Sequence, residues 1–325
     1  MRRDVAQRGL TLVELMVAVV IAGIAMAAAF SLGYAMMDGY REHRKAVEVE
    51  RSARASMQLI ADAVRNASVG VPTGELEDLV SCTERGPLFV ENLSDGPDRL
   101  QVVHGVGGSM TEVRDGSFNL GSTQIDVADA SGFRPGDQLI ISDTQSGKLV
   151  SVVDVDLSGD VLQVETACPG LTWPAGGYGR GSLVIRAQVS GFAIDEQGEV
   201  PVLLVGPRGL PALLGGLLPN TWQADPVALG VEDLQIAVGV DHSGDGMIDR
   251  WHYSEAGDPD PPDPAVTPWR ALRITVIARS FQENSDQPMS TRPAAEDRPA
   301  AERPDEFRRR VLTTIIELRN LEGSP

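Results

Sequence analysis

Nine residues in the C-terminal half, Asp241–Asp249, place oxygen-bearing side chains at the spacing of a calcium-binding loop. The segment has Gly246 at its sixth position and an apolar residue at its eighth, as such loops do. The side chains that would supply oxygen stand at positions one, three, five and nine: Asp241, Ser243, Asp245 and Asp249. His252 occupies position twelve, where a bidentate Glu is usual, and the flanking sequence predicts strands instead of helices. A metal-free acidic turn held by side-chain-to-backbone hydrogen bonds fits the same residues, so both interpretations stay open.

A second candidate for chemistry is a single carboxylate, Glu14, at the edge of a long apolar run. A short basic leader ends in Gly9, and Leu15–Met37 then contains 23 residues without a charge. That length is sufficient to span a bilayer as a helix. A lone carboxylate at such a position costs on the order of a few kcal/mol if it faces lipid, so Glu14 requires a partner.

This N-terminal pattern resembles the processing motif of type IV prepilins and pseudopilins. The resemblance implies that a prepilin peptidase cleaves between Gly9 and Leu10, and that the new N-terminal Leu10 is methylated. Glu14 then becomes the fifth mature residue, whose carboxylate in this family pairs with the N-terminal ammonium of a neighbouring subunit. Leu10 departs from the Phe that is commonest at that position. A secretory signal peptide has a shorter apolar core, and a plain membrane anchor would need neither Gly9 nor Glu14.

Composition limits the function classes that remain. The chain has 325 residues and a formal net charge of −18, and the leader Met1–Gly9 carries +2, so a cleaved chain would carry −20. So acidic a surface repels nucleic acid, and we expect no nucleic-acid partner. Arginines before the apolar run place the N-terminus in the cytoplasm and the bulk of the chain in the periplasm. In that oxidising compartment the two cysteines, Cys82 and Cys168, could form a disulfide; two unpaired thiols are the alternative.

The apolar run continues into a second helical pattern. Apolar residues recur at intervals of three and four from Ala46 to Ala67, with charged residues on the opposite side, which predicts an amphipathic helix. Because no proline precedes Pro72, Leu10 to Ala67 is predicted as one helix. The predicted organisation is a leader (1–9), a transmembrane or filament-core helix (10–40), an amphipathic helix (41–70) and a β-rich periplasmic domain (71–325).

Beyond Pro72, short β-branched or alternating runs separated by turn residues predict strands. These runs are Leu100–His104, Gln124–Val127, Gln138–Ser142, Leu149–Val155, Val161–Glu165, Leu183–Val189, Val200–Val205, Leu234–Val240, Leu272–Arg279 and Arg310–Arg319. The predicted fold class is therefore α+β, a long N-terminal helix packed on a largely antiparallel sheet. Residues 282–304 contain two copies of Arg-Pro-Ala-Ala-Glu and few large apolar side chains, which predicts a disordered loop.

Three C-terminal segments narrow the resemblance: Val231–Ile236, the strand Ala271–Ser280 and the final run Arg309–Asn320. Their order, behind a prepilin N-terminus, is similar to that of the PilW family of minor pilins. The resemblance implies a subunit that helps to initiate pilus assembly at the inner membrane and ends near the pilus tip. It also implies other minor and major pilins, the inner-membrane assembly platform and a tip adhesin as partners.

Two other functions remain open: a minor pseudopilin of a type II secretion system, and a membrane-anchored calcium-dependent adhesin. No nucleophile, phosphate-loop or zinc-site pattern is complete, so we expect a non-enzymatic protein without a cofactor, calcium excepted.

Overall fold

The computed structural model describes residues 12–69, 71, 76–78, 83–119, 121–143, 146–165, 174–206, 224–264, 266–283 and 289–319. The chain divides into two compact units, Met1–Glu48 and Val49–Pro325. One helix, α1 (Leu12–Arg65), contributes its first part to the first unit and its last part to the second. The predicted sites at Gly9, Leu10, Cys82 and Cys168 lie outside the described residues.

Fifteen strands are described in the second unit. They are β1 (Leu76–Asp78), β2 (Thr83–Arg85), β3 (Leu88–Glu91), β4 (Arg99–Asp115), β5 (Gln124–Val127), β6 (Gln138–Ser142), β7 (Gly147–Asp156), β8 (Val161–Glu165), β9 (Leu183–Asp195), β10 (Val202–Gly206), β11 (Asp225–Leu229), β12 (Val231–Val240), β13 (Arg250–His252), β14 (Trp269–Arg279) and β15 (Arg309–Glu317). Among these strands every pairing is antiparallel except the one between β1 and β7. The predicted α+β class is confirmed.

The described strands form two sheets, one of eleven strands and one of four. Within the larger sheet, β4, β5, β8, β7, β6 and β9 pair in that order and β9 pairs again with β4, which closes a ring. Apolar side chains fill the ring, with Phe118, Leu139, Leu162 and Tyr178 all fully buried. The ring is therefore a small closed barrel with a core of its own.

The smaller sheet has the strand order β13-β12-β14-β15. The main core lies between this sheet, the last turns of α1 and the parts of β4 and β9 that extend beyond the barrel. Ile60 and Val64 of α1 are buried there against the same cluster as Leu100, Ile236 and Ile274. Because side chains alternate along a strand, only one face of the smaller sheet joins this core. The apolar stripe predicted on the second half of the helix is the face that the sheet buries.

The end of α1 is fixed to the sheet by backbone hydrogen bonds. Ser68 lies in the left-handed region with φ of +64°, which turns the chain out of the helix. The Ser68 N–H then donates to the Val103 carbonyl at 3.0 Å, and the Gly105 N–H donates to the Val69 carbonyl at 2.7 Å. These bonds hold the helix end to β4 directly.

Candidate assembly site

The first part of α1 presents an apolar surface to its surroundings. Between Leu15 and Met37 there is no charged residue, and side chains such as Phe30 and Tyr34 are more than half exposed. By length and composition α1 could cross a membrane, with a mean hydropathy of 2.5 over its most apolar window, none of which is buried. A contiguous exposed apolar surface of this size requires lipid or neighbouring helices to cover it.

Glu14 lies in the first turn of α1. The partial positive charge of a helix N-terminus stabilises a carboxylate there, which lowers the cost of placing a charge beside apolar residues. Its predicted partner, the ammonium of a neighbouring subunit's methylated terminus, belongs to another chain. A buried charge is stabilised only where the opposite charge meets it, and the pairing of Glu14 with that ammonium stays a prediction.

In the second unit, charged residues on α1 also contact the smaller sheet. Glu50 accepts hydrogen bonds from the Arg54 guanidinium one turn later and forms an ion pair with Arg310 of β15 at 3.1 Å. Val49 and Ala53, on the adjoining side of the helix, are buried against Ala278 and Leu312. Apolar packing supplies most of the stabilisation, because exposed ion pairs contribute only about 0–1 kcal/mol.

The acidic segment Asp241–Asp249 forms the connection between β12 and β13. The Asp241 carboxylate is buried and accepts hydrogen bonds from the Arg270 guanidinium at 2.7 and 3.0 Å. It also accepts from the N–H groups of Gly244 at 2.6 Å and Gly246 at 2.8 Å. The bond from Arg270 is the main reason that the pKa of Asp241 is lowered to about 2.

This geometry is that of the metal-free acidic turn. Asp245 and Asp249 are exposed, and each accepts a hydrogen bond from a backbone N–H of the same segment. No group of three His, Cys, Asp or Glu residues within the described ranges is arranged to hold a metal ion. A calcium ion at Asp241 would have to displace Arg270, and calcium binding here stays a prediction.

Two histidines, His242 and His252, lie in contact beside this turn, although their spacing in the sequence predicts no shared site. The Nε2 atoms of His242 and His252 lie 3.3 Å apart, and His252 Nδ1 lies 3.0 Å from the Pro259 carbonyl oxygen. Because a carbonyl oxygen can only accept, Nδ1 of His252 donates the hydrogen bond to it, and the tautomer that carries this single proton has Nε2 as the acceptor for His242. Strand pairing between β12 and β13 brings the two rings together, and no local pattern predicts it.

Residues 289–308, which we name the cover segment, lie on the polar face of the smaller sheet. The sequence predicts a disordered loop at residues 282–304. In the structure residues 289–304 are folded against the sheet, and Arg292, Ala295 and Asp297 are buried. The physical reason is that this segment is held by ion pairs instead of apolar side chains. A composition argument based on apolar surface does not detect such a segment.

The first repeat of the cover segment contacts β12 and β14 directly. Glu296 binds the Arg273 guanidinium through both carboxylate oxygens, the shortest contact being 2.6 Å. Arg292 donates to Asp233 at 2.9 Å and to the Pro299 carbonyl at 2.6 Å. The Asp233 carboxylate is fully buried, so this ion pair lies inside the domain.

The second repeat reaches the same carboxylate. Arg298 donates to the other oxygen of Asp233 at 2.7 Å, and both guanidinium groups are nearly buried. Sequence reasoning missed this triad, although an acidic residue inside a strand and a repeated arginine were the available signals. Together the contacts make the cover segment part of the folded domain.

Two family models match the chain. The model for type IV pilus-assembly protein W (PilW) matches residues 193–320, which run from the last part of β9 through β15 and include the cover segment. The model for the prokaryotic N-terminal methylation motif matches residues 5–30. No curated protein and no solved structure shows a significant match. Apart from the last residues of β9, the barrel strands lie outside both matched ranges. The chain thus resembles type IV pilin-like proteins: its N-terminus matches the methylation motif of prepilins, and its C-terminal part is similar to the PilW family.

Proposed function

We propose that this protein is a minor type IV pilin, a non-enzymatic subunit that helps to initiate pilus assembly and resides near the pilus tip. One observation carries the proposal: a single helix, α1, contains the methylation-motif end and, in its last turns, the stripe buried in the PilW-like domain. A filament subunit needs both parts in one chain, because the apolar helix joins the filament and the domain is carried by that helix.

The apolar part of α1 supplies the membrane anchor before assembly and the filament core afterwards. We place the protein in the inner membrane with residues 71–325 in the periplasm, and later in the pilus. The prepilin peptidase, the inner-membrane assembly platform and other minor and major pilins are the proposed partners, with a tip adhesin above them. Glu14 aligns the chain with a neighbouring helix through the charge pairing described above.

Glu14→Ala tests the filament role. We expect the variant to remain in the membrane, because the apolar run is unchanged, but to fall at least about tenfold in sheared pilus fractions, since one lost charge pair costs more than about 1.4 kcal/mol. Glu48→Ala is the matched control, because Glu48 is an exposed carboxylate on the same helix. Incorporation of Glu14→Ala at the wild-type level would contradict the filament role and favour an anchored adhesin.

Peptide mass spectrometry of the wild-type protein supplies an independent readout. The expected N-terminal peptide begins at Leu10 and carries one added methyl group. A wild-type chain that retains Met1–Gly9 would contradict both the pilus and the secretion-system functions, because neither filament accepts an unprocessed subunit.

A further inference from the structure

The outermost strand of the smaller sheet, β15, has one edge without a described neighbour. The strand order is β13-β12-β14-β15, so β14 pairs with one side of β15 and no described strand pairs with the other. All nine residues of β15 pair with β14 in one continuous register. A long, regular edge of this kind pairs with another strand unless charges, a proline or a bulge prevents it.

The hydrogen bonds to β14 show which backbone groups of β15 point outward. The Leu318 N–H donates to the Arg270 carbonyl at 2.8 Å. At the other end, the Ser280 N–H donates to the Arg308 carbonyl at 2.9 Å. Because bonded pairs alternate along an antiparallel ladder, the even-numbered residues of β15 bond to β14. The N–H and carbonyl groups of the odd-numbered residues therefore point away from the sheet, and no described backbone group bonds them.

The side chains of the odd-numbered residues lie on the exposed face of the sheet. Ile315 is 58% exposed and Val311 is 41% exposed. The even-numbered Leu312 instead packs against the apolar cluster that contains Ala53 of α1. Residues 311–316 include no charged residue, no proline and no glycine, and all but Leu312 are β-branched. This stretch combines high β-propensity with a free edge and lacks the residues that usually protect one.

The sequence of β15 is complementary to a second copy of itself in one antiparallel register. If the two strands are centred on Thr313, Val311 of one copy lies opposite Ile315 of the other. In the same register Arg309 lies opposite Glu317, whose side chain is 71% exposed. Odd-numbered residues then face odd-numbered residues, as the outward direction of their backbone groups requires. Pairs of β-branched residues and of opposite charges in such positions stabilise a strand pair.

The neighbouring registers are less favourable. A shift by two residues in one direction places Arg309 opposite Arg319, and like charges directly opposite each other destabilise a strand pair. A shift by two residues in the other direction places Arg309 opposite Ile315. Arg309 is already bound by Asp305 of its own chain, so its exposed partner in the second copy adds little. The contacts between Val311 and Ile315 and the backbone bonds then supply most of the stabilisation.

We propose that two copies of this chain associate through β15, in the register centred on Thr313, so that their two four-stranded sheets form one continuous sheet. Such an interface is isologous, with the same surface on both copies, and twofold dimers of this kind are the commonest homo-oligomers. Backbone hydrogen bonds hold the two strands together, and the alternate side chains fix the register. The match of β15 to its own sequence favours a second copy over a strand of another protein. The pairing does not depend on the proposed role in pilus assembly.

Sedimentation of the full-length protein in detergent measures the dimer dissociation constant. Thr313→Pro removes the central outward N–H group of each copy, whereas the bonds to β14 remain because they come from even-numbered residues. Thr313→Val is the matched control, since it loses the same 3.0 Å hydroxyl contact with Thr275 but keeps the N–H group. We expect the dimer of Thr313→Pro to be at least about tenfold weaker than that of Thr313→Val. Association through α1 is common to both variants and does not affect the comparison.

A side-chain variant gives a second comparison if the proline lowers the melting temperature. Ile315→Lys places a charge within the paired stretch and should also weaken the dimer at least about tenfold. Val266→Lys is its control, because Val266 is 80% exposed and lies outside β15. Equal dissociation constants within either pair of variants would overturn the inference, as would a monomeric wild type.

Cysteine cross-linking tests the register. In an antiparallel hydrogen-bonded pair the Cα atoms lie about 5.5 Å apart, within the range that a disulfide bridges. Thr313→Cys should therefore form a covalent dimer under mild oxidation, above the background that Cys82 and Cys168 give in the wild type. Val311→Cys alone should stay near that background, because its two copies lie about 14 Å apart along the strands, but it should cross-link when mixed with Ile315→Cys. Equal cross-linking of Val311→Cys alone and Thr313→Cys alone would overturn the proposed pairing.

Discussion

Replacing Asp233 with Ala should destabilise the second unit more than any surface change on the same sheet. The substitution removes the acceptor of Arg292 and Arg298 and leaves both guanidinium groups nearly buried without their carboxylate. It also removes one acceptor of the Gln235 amide. Because the arginines remain, the substitution leaves two buried positive charges without a counter-charge, and its effect is larger than the loss of the ion pairs alone.

The expected magnitude follows from the geometry. Removing one partner of a buried ion pair costs about 3–5 kcal/mol. With roughly 2–4 °C of melting temperature per kcal/mol for a domain of this size class, the loss corresponds to about 6–20 °C. Part of the loss is recovered when the guanidinium groups are also replaced, because the uncompensated charge is then gone.

Chemical unfolding of the full-length protein in detergent measures this loss, with Asp233→Ala compared with Glu317→Ala. Glu317 is an exposed carboxylate on β15, and among the described residues it pairs with the exposed Arg319, so its removal should change the stability by no more than about 1 kcal/mol. Asp233→Ala combined with Arg292→Met and Arg298→Met should be more stable than Asp233→Ala alone. A loss below about 1 kcal/mol for Asp233→Ala would refute the buried triad.

Two other predictions concern the same unit. Gly230→Ala should lose about 2–4 kcal/mol in urea unfolding, because φ is +76° and the added Cβ would lie 2.7 Å from the Arg279 carbonyl oxygen; Gly257→Ala, at φ of +86° with open space around it, should lose only about 1–2 kcal/mol. Equal losses in the two variants would contradict the steric clash between the added Cβ at position 230 and the Arg279 carbonyl oxygen. The lowered pKa of Asp241 means that its contribution to stability is present above its ordinary pKa and disappears as the pH falls from about 4 through about 2. Arg270→Met should raise this pKa toward the ordinary range in a carboxyl NMR titration, and an unchanged value would contradict the assignment of Arg270 as its main cause.

The features predicted from the sequence are those that local physics decides. The uncharged run Leu15–Met37 and the apolar intervals up to Ala67 predict a helix from Leu10 to Ala67. The observed helix, Leu12–Arg65, lies within those bounds. The short strands Gln124–Val127 and Val161–Glu165 lie between clear turn residues, and both have the bounds that their patterns predict.

The remaining features depend on contacts between distant residues. The closure of the barrel requires β4 to extend from its predicted end at His104 to Asp115, and its pairing with β9 joins residues about eighty positions apart in the chain. The cover segment is fixed by Asp233, 59 residues before Arg292. A polar segment that folds by ion pairing has the composition of a disordered one, so only the structure separates the two.

The most direct test of the central claim is a clean deletion strain in which surface pili are counted by electron microscopy and secreted proteins are assayed in the same cultures. A pilus-initiating minor pilin predicts few or no pili, normal secretion, and recovery of pili by the wild-type chain but not by Glu14→Ala. Normal pili with blocked secretion would make the protein a pseudopilin, and normal pili with normal secretion would contradict any assembly role.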